Sequence, residues 1–280
     1  MTYSIVALDA ETGELGVAVQ SRAFGTGAAV PWAAPRVGAV ATQSFTERSY
    51  GPLALELMRA GKSPAEALAG LLAADPDRQV RQVGIVDAQG RSAAHTGEDC
   101  IAEAGHLVGD GFTVQANIMR SAAVWPAMAE AFAQSSGTLA SRLLTALEAA
   151  EAAGGDWRGQ QAAGLLVVPA AGSPWERVSD LRVDDHEQPL AELRRLLGRE
   201  EGYRALHRSD RRAEAAAAAG LPELDVRWAG ILDAAHEGDV ERARALLLPL
   251  LRDEPRWGDY ARALGARGLL PLADRLLADP

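Results

Sequence analysis

The sequence predicts an α+β fold: two mostly antiparallel sheets packed face to face, helix pairs outside them, and a small all-α C-terminal domain. Three observations carry that expectation. Strand and helix patterns come in blocks, whereas a doubly wound parallel sheet alternates them singly. Beyond about residue 200 every periodic segment has helical spacing. The 280 residues are 48% hydrophobic and 24% charged, ordinary globular proportions that exclude a disordered chain.

The elements follow in order. Residues 4–8 and 15–20 are short apolar runs joined by Asp9-Ala-Glu-Thr-Gly13, a hairpin pattern. A small-residue loop with Gly25, Gly27 and Pro31 precedes a strand over 37–44, with a short strand expected near 28–32. The period then becomes helical over 50–60 and 63–74, and Ser63-Pro64-Ala-Glu66 supplies an N-cap, a first-turn proline and a capping acid. Residues 82–87 and 92–96 form a second hairpin, and 105–108 and 112–117 two more strands. Helices are expected over 123–134 and 138–153, strands over 162–168 and 178–183, and a helix starting over 189–197. The tail predicts helices over 204–219, 225–236, 240–252 and 257–266, so the domains divide as 1–200 and 201–280.

Charge and composition exclude several functions. The net charge is -10, and neither half is basic: residues 201–280 hold 12 Arg against 14 acids, leaving 16 basic and 24 acidic residues before them. Nucleic acid is therefore not an expected partner. No apolar run reaches the length of a membrane span, and the start Met-Thr-Tyr-Ser has no basic, apolar leader pattern, so a cytoplasmic protein is expected. A single cysteine, Cys100, forms no internal disulfide. Lys62 is the one lysine, which leaves no place for Schiff-base chemistry elsewhere. Gly25-Thr-Gly27 lacks the third glycine and following helix of a dinucleotide site. The spacing of His95, Cys100 and His106, with Asp99 and Asp110 nearby, matches no compact zinc pattern. No metal or other cofactor is expected.

A dense set of motifs carries a resemblance. Thr2-Tyr-Ser-Ile-Val-Ala, Thr12-Gly-Glu-Leu-Gly-Val-Ala-Val19, Ser21-Arg22, Val30-Pro-Trp32 and Val37-Gly-Ala-Val-Ala-Thr-Gln43 begin it. Tyr50-Gly-Pro52, Arg81-Gln-Val-Gly-Ile-Val-Asp87, His95-Thr-Gly97, Ala104-Gly-His106, Gln115-Ala-Asn117 and Asp180-Leu-Arg-Val-Asp-Asp-His186 continue it. Over about residues 2–197 the chain resembles the Ntn-hydrolase-like family called domain of unknown function 1028. The tail, with Pro255-Arg-Trp257 and Gly268-Leu-Leu-Pro271, is similar to a helical segment of peptidoglycan-binding type.

The resemblance implies a four-layer αββα sandwich of the proteasome-subunit kind and hydrolysis of an amide or peptide bond by an N-terminal nucleophile. Such a nucleophile must be the first residue, because its own α-amine, titrating near pH 7.7–8, serves as base. Thr2 fits once Met1 is removed, and Ser4 would need further trimming. By the same comparison Gln20 stands where an aspartate usually precedes the Ser21-Arg22 pair. Arg36 lies near the usual position of a lysine, and supplies charge without titrating. Asn117, Gln43 and Ser44 are candidate oxyanion donors at strand ends, with Thr42 and Ser21 of the same type. Buried Asn and Gln at strand ends also serve simply to satisfy backbone groups. Expected partners are a small amide or peptide substrate, a second copy of the chain, and a peptidoglycan fragment at the tail, where Trp228, Trp257 and Tyr260 stack on a sugar or form core. The alternative is a catalytically inactive Ntn-fold scaffold acting through its helical tail, in keeping with the uncharged Gln20.

Overall fold

Period-two alternation dominates the first half of the molecule, whose computed structural model describes residues 2–278. In β1 (Thr2–Leu8) residues Tyr3, Ile5 and Ala7 face one way and Thr2, Ser4 and Val6 the other, and all are buried. A six-stranded antiparallel sheet forms around it with β2 (Leu15–Ser21), β7 (Gly105–Gly109), β8 (Phe112–Asn117), β9 (Ala162–Val168) and β10 (Ser179–Val183). The strand order is β10-β9-β2-β1-β8-β7. The second sheet is a meander of β3 (Pro31–Ala34), β4 (Gly38–Ser44), β5 (Arg81–Asp87) and β6 (Ser92–Thr96).

Three apolar cores hold these elements. Tyr3, Ile5, Ala18, Val114 and Leu165 of the large sheet pack against α3 (Val124–Gln134), α4 (Leu139–Ala152) and the start of α5 (Pro189–Arg208). Val40, Val83 and Ile85 of the small sheet pack against α1 (Tyr50–Arg59) and α2 (Pro64–Ala74). Val6, Val17, Val19 and Val168 meet Val30, Ala39, Ala41 and Val86 where the two sheets face each other. Each large side chain so buried contributes roughly 1.5–3 kcal/mol. The capping box at Ser63 and Glu66 is formed, with the serine hydroxyl accepting from the Glu66 N–H.

The chain divides into two compact units, Met1–Leu197 and Gly198–Pro280. The second contains α6 (Arg212–Ala218), α7 (Glu223–Glu237), α8 (Val240–Asp253), α9 (Arg256–Gly265) and α10 (Ala273–Leu277), around a core that includes Ile231, Leu247 and Leu270. The helix expected over 204–219 is two pieces. α5 runs on to Arg208, and at the break the Ser209 hydroxyl accepts from the Arg211 N–H. The Asp233 carboxylate then accepts from the Ala213 N–H, which starts α6 there. No helix among the described residues is long and apolar enough to cross a membrane.

Candidate active site

The face of each sheet that meets the other is apolar at one end and polar at the opposite end. Alternation puts Thr2 and Ser4 of β1, Ser21 of β2, Gln43 of β4, Gln82 of β5, and Thr113, Gln115 and Asn117 of β8 in the polar half. All are buried. Register brings them together: Thr2 pairs with Ser21 on one side and with Asn117 on the other, and Gln43 pairs with Gln82.

Apart from Thr113, whose buried hydroxyl has no hydrogen-bond partner among the described residues, these uncharged residues are linked in one hydrogen-bonded network. The Thr2 hydroxyl donates to Ser21 Oγ at 3.0 Å. The Thr2 carbonyl accepts from Gln43 Nε2 at 3.2 Å and from Asn117 Nδ2 at 3.4 Å. Gln82 is the hub: its Oε1 accepts from Gln43 Nε2 at 2.7 Å and from Asn117 Nδ2 at 2.8 Å. Its own Nε2 donates to the Ala116 carbonyl at 2.8 Å and to Thr96 Oγ1 at 2.9 Å. Ser4 Oγ donates to Gln43 Oε1 and accepts from Gln115 Nε2, both at 2.6 Å. The chain of bonds ends at the Nδ1 of His106, 2.8 Å from Thr96 Oγ1. Burial, reinforced by His95, holds the His106 imidazole below its ordinary pKa and therefore neutral at pH 7.

Backbone strain sits beside this network. Ser44, directly after Gln43, has φ 72°, and Ile118, directly after Asn117, has φ 57°. Left-handed geometry is unfavourable for any side chain and more so for a β-branched one, and it collects at functional sites. Ile118 is held there from both sides: its N–H donates to the Ile101 carbonyl at 3.0 Å, and its carbonyl accepts from the Trp157 N–H at 3.1 Å.

Comparison with known proteins identifies the relatives of this chain. Residues 2–193 match the model of a family of unknown function, DUF1028. The chain belongs to that family. A DUF1028 protein from Silicibacter pomeroyi has a similar solved structure, with 31% identity and a TM-score of 0.65 over 71% of this chain and 88% of that one. Anbu, the ancestral β-subunit from Yersinia bercovieri, matches at 13% identity and a TM-score of 0.32, over 74% of this chain and 96% of that one. That likeness is too remote to bear on function. No curated protein matches the chain.

In this DUF1028 chain the fold gathers Thr2, Ser21, Gln43 and Asn117 at one place. It does not bring Gln20 there. Gln20 pairs with Tyr3 and shares the helix-facing side of the sheet with Ala18, one residue out of phase with Ser21. Both of its amide atoms are buried without a partner, near a Tyr3 phenol that donates to Glu151 and is pushed up in pKa by burial. Arg36 is also elsewhere. It is exposed, at φ 65° in the turn before β4, whereas Gln43 is near that strand's other end, roughly 20 Å away at a strand's rise per residue.

Ser44 presents no bonded donor, and the Thr42 hydroxyl donates to the Glu47 carbonyl at 3.0 Å. Met1, on whose removal the expected Thr2 nucleophile depends, lies outside the described residues. His95 Nε2 lies 3.0 Å from the Arg78 carbonyl, and the Cys100 thiol donates to the Arg81 carbonyl at 3.3 Å. Among the described residues no group of three or more His, Cys, Asp or Glu is arranged to hold a metal ion.

Sequence reasoning missed Gln82, Gln115 and Thr96. The signal was present in the alternation, since Gln82 falls in phase with Val86 and Gln115 with Asn117, but nothing local shows that two sheets will bury both.

Proposed function

We propose that the protein is an amidohydrolase of the N-terminal-nucleophile kind, built on a four-layer αββα sandwich and acting on a small amide or peptide bond. The observation that carries the reading is the placement of Thr2: first residue of a central strand, hydroxyl bonded to Ser21, and carbonyl held by two amide donors beside two strained residues. The three apolar cores support the sandwich.

Removal of Met1 frees the Thr2 α-amine. That amine takes the hydroxyl proton as Oγ1 attacks the substrate carbonyl carbon. The C–N bond breaks, the proton passes to the departing amine, and water then cleaves the ester with the same α-amine as base. Gln43 Nε2 already donates to Thr2, Gln82 and Gln115, which makes it a positioning residue. Of the two donors on the Thr2 carbonyl Asn117 makes the longer bond, so the N–H it points there is the one assigned to the oxyanion, while its other N–H stays on Gln82. Screening of amide and peptide substrates tests this. Thr2→Ala should abolish hydrolysis and Asn117→Ala should lower kcat by about 10²–10³, whereas full turnover by Thr2→Ala would remove the reading.

A second reading, a non-catalytic scaffold, is favoured by one observation: among the described residues, the side chains linked around Thr2, those of Ser4, Ser21, Gln43, Gln82 and Asn117, are uncharged. In the second unit, the rings of Trp228, Trp257 and Tyr260 lie 5.1–5.7 Å apart and line a cavity of about 540 Å³ with Glu254 and Arg256. These support a sugar-bearing ligand there, such as a peptidoglycan fragment. Titration of tryptophan fluorescence with soluble fragments tests it, and no response at millimolar concentration counts against it.

A further inference from the structure

Large apolar side chains that reach solvent singly need no explanation, whereas several gathered at one place mark a binding surface. In the first unit Phe24 is 74% exposed, Trp157 66%, Phe45 55% and Ile101 48%. Chain adjacency and backbone hydrogen bonds bring all four to the end of the sheets where Thr2 lies. Phe24 comes three residues after Ser21, the pairing partner of Thr2. Phe45 comes two residues after Gln43, whose amide binds the Thr2 carbonyl. Ile101 and Trp157 bond through their backbones to Ile118, next to Asn117, the other pairing partner of Thr2.

The backbones carrying these side chains are fixed. The positive φ of Ser44 turns the chain at the end of β4, and the Phe45 carbonyl accepts from Arg81 Nη1 at 2.7 Å. The buried Asp156 carboxylate accepts from the Arg22 N–H at 3.2 Å and the Arg158 N–H at 2.9 Å, so one anchor serves the segments of both Phe24 and Trp157. Rigid loops that hold apolar groups in water have already met part of the entropy cost of binding.

We propose that Phe24, Phe45, Ile101 and Trp157 form the recognition rim for the substrate of Thr2, and that this substrate is an amide bearing a large apolar group. The chemical step rests on the hydrolase reading; the binding does not. Transfer of a methylene out of water changes affinity by about three- to fourfold, less where the rim covers it only partly.

The test uses the full chain carrying Thr2→Ala, titrated calorimetrically with N-acetyl-, N-hexanoyl- and N-decanoylglycine. Affinity should rise about two- to fourfold per added methylene. The further pair Phe24→Ser and Trp157→Ser, both at exposed positions, should weaken decanoyl binding at least about tenfold with an unchanged circular dichroism spectrum. Equal affinity across the series, no binding, or undiminished binding by the rim variant would each overturn the proposal. The two readings fail separately. Rim-dependent binding without turnover of decanoyl amides by the wild type would remove the nucleophile alone. Turnover of acetyl amides with no dependence on chain length would remove the rim alone.

Discussion

Replacing Gln82 by methionine removes the hub of the buried network while keeping its volume. The side chain accepts from Gln43 and Asn117 at 2.7 and 2.8 Å and donates to the Ala116 carbonyl and Thr96. In the variant two buried amide nitrogens each lose their shortest bond. They keep the longer ones, 3.2 Å from Gln43 Nε2 to the Thr2 carbonyl and 3.4 Å from Asn117 Nδ2 to the same oxygen. A buried donor left without a partner costs about 1–3 kcal/mol. With the longer bonds offsetting part, the two together cost about 2–3 kcal/mol. For a domain of this size that lowers Tm by roughly 5–10 °C. Differential scanning calorimetry on wild type, Gln82→Met and the exposed control Gln89→Met measures it. A fall of less than about 2 °C, equal to the control, would refute the claim that these amides share one network.

Other consequences follow from the same geometry. Gly84 faces Gln115 Oε1 and Thr113 Oγ1, both buried without partners, so the added methyl of Gly84→Ala collides with them and should cost about 1–3 kcal/mol in thermal melts. At the left-handed Ser44, stability should order as Gly at or above Ser, and Ser above Val by about 1 kcal/mol or more. Arg81 beside Asp75 holds that carboxyl down at about 2, against 3.8 for the free group. Because the folded pKa is the lower one, the stabilisation is complete above about pH 4 and is lost as pH falls through about 2. Asp75→Asn should flatten that part of the acid-melting profile.

The local signals were legible where one stretch of chain decides the structure. Asp9 Oδ1 accepts from the Glu11 and Thr12 N–H groups, which is why the first hairpin turns where its polar run stands. The Ser63–Glu66 box could be read from four residues. Thr2 is legible from its place behind Met1, Gln43 and Asn117 from strand ends, and Ser21 from the family resemblance, and the fold puts them together. The resemblance puts Gln20 with them, where an aspartate usually precedes the Ser21-Arg22 pair, but neighbours in a strand face opposite ways and Ser21 takes the inner face. Arg36 was compared by position along the chain, which hides the length of β4 between it and Gln43. The network of Gln82 and Gln115 depends on two sheets meeting, a long-range fact that no window of sequence holds. The Ala-rich run over 213–219 carries no stop signal of its own, so the break before α6 rests on Ser209 and on the distant Asp233.

The proposed chemistry stands on a free Thr2. Intact mass spectrometry of the protein, untagged at its N-terminus, before and after exposure to a β-lactone, tests this most directly. The account predicts a chain lighter by one methionine that gains a single acyl adduct mapping to Thr2, with none on Thr2→Ala. A chain that keeps Met1, or a free Thr2 that takes no label, would contradict it.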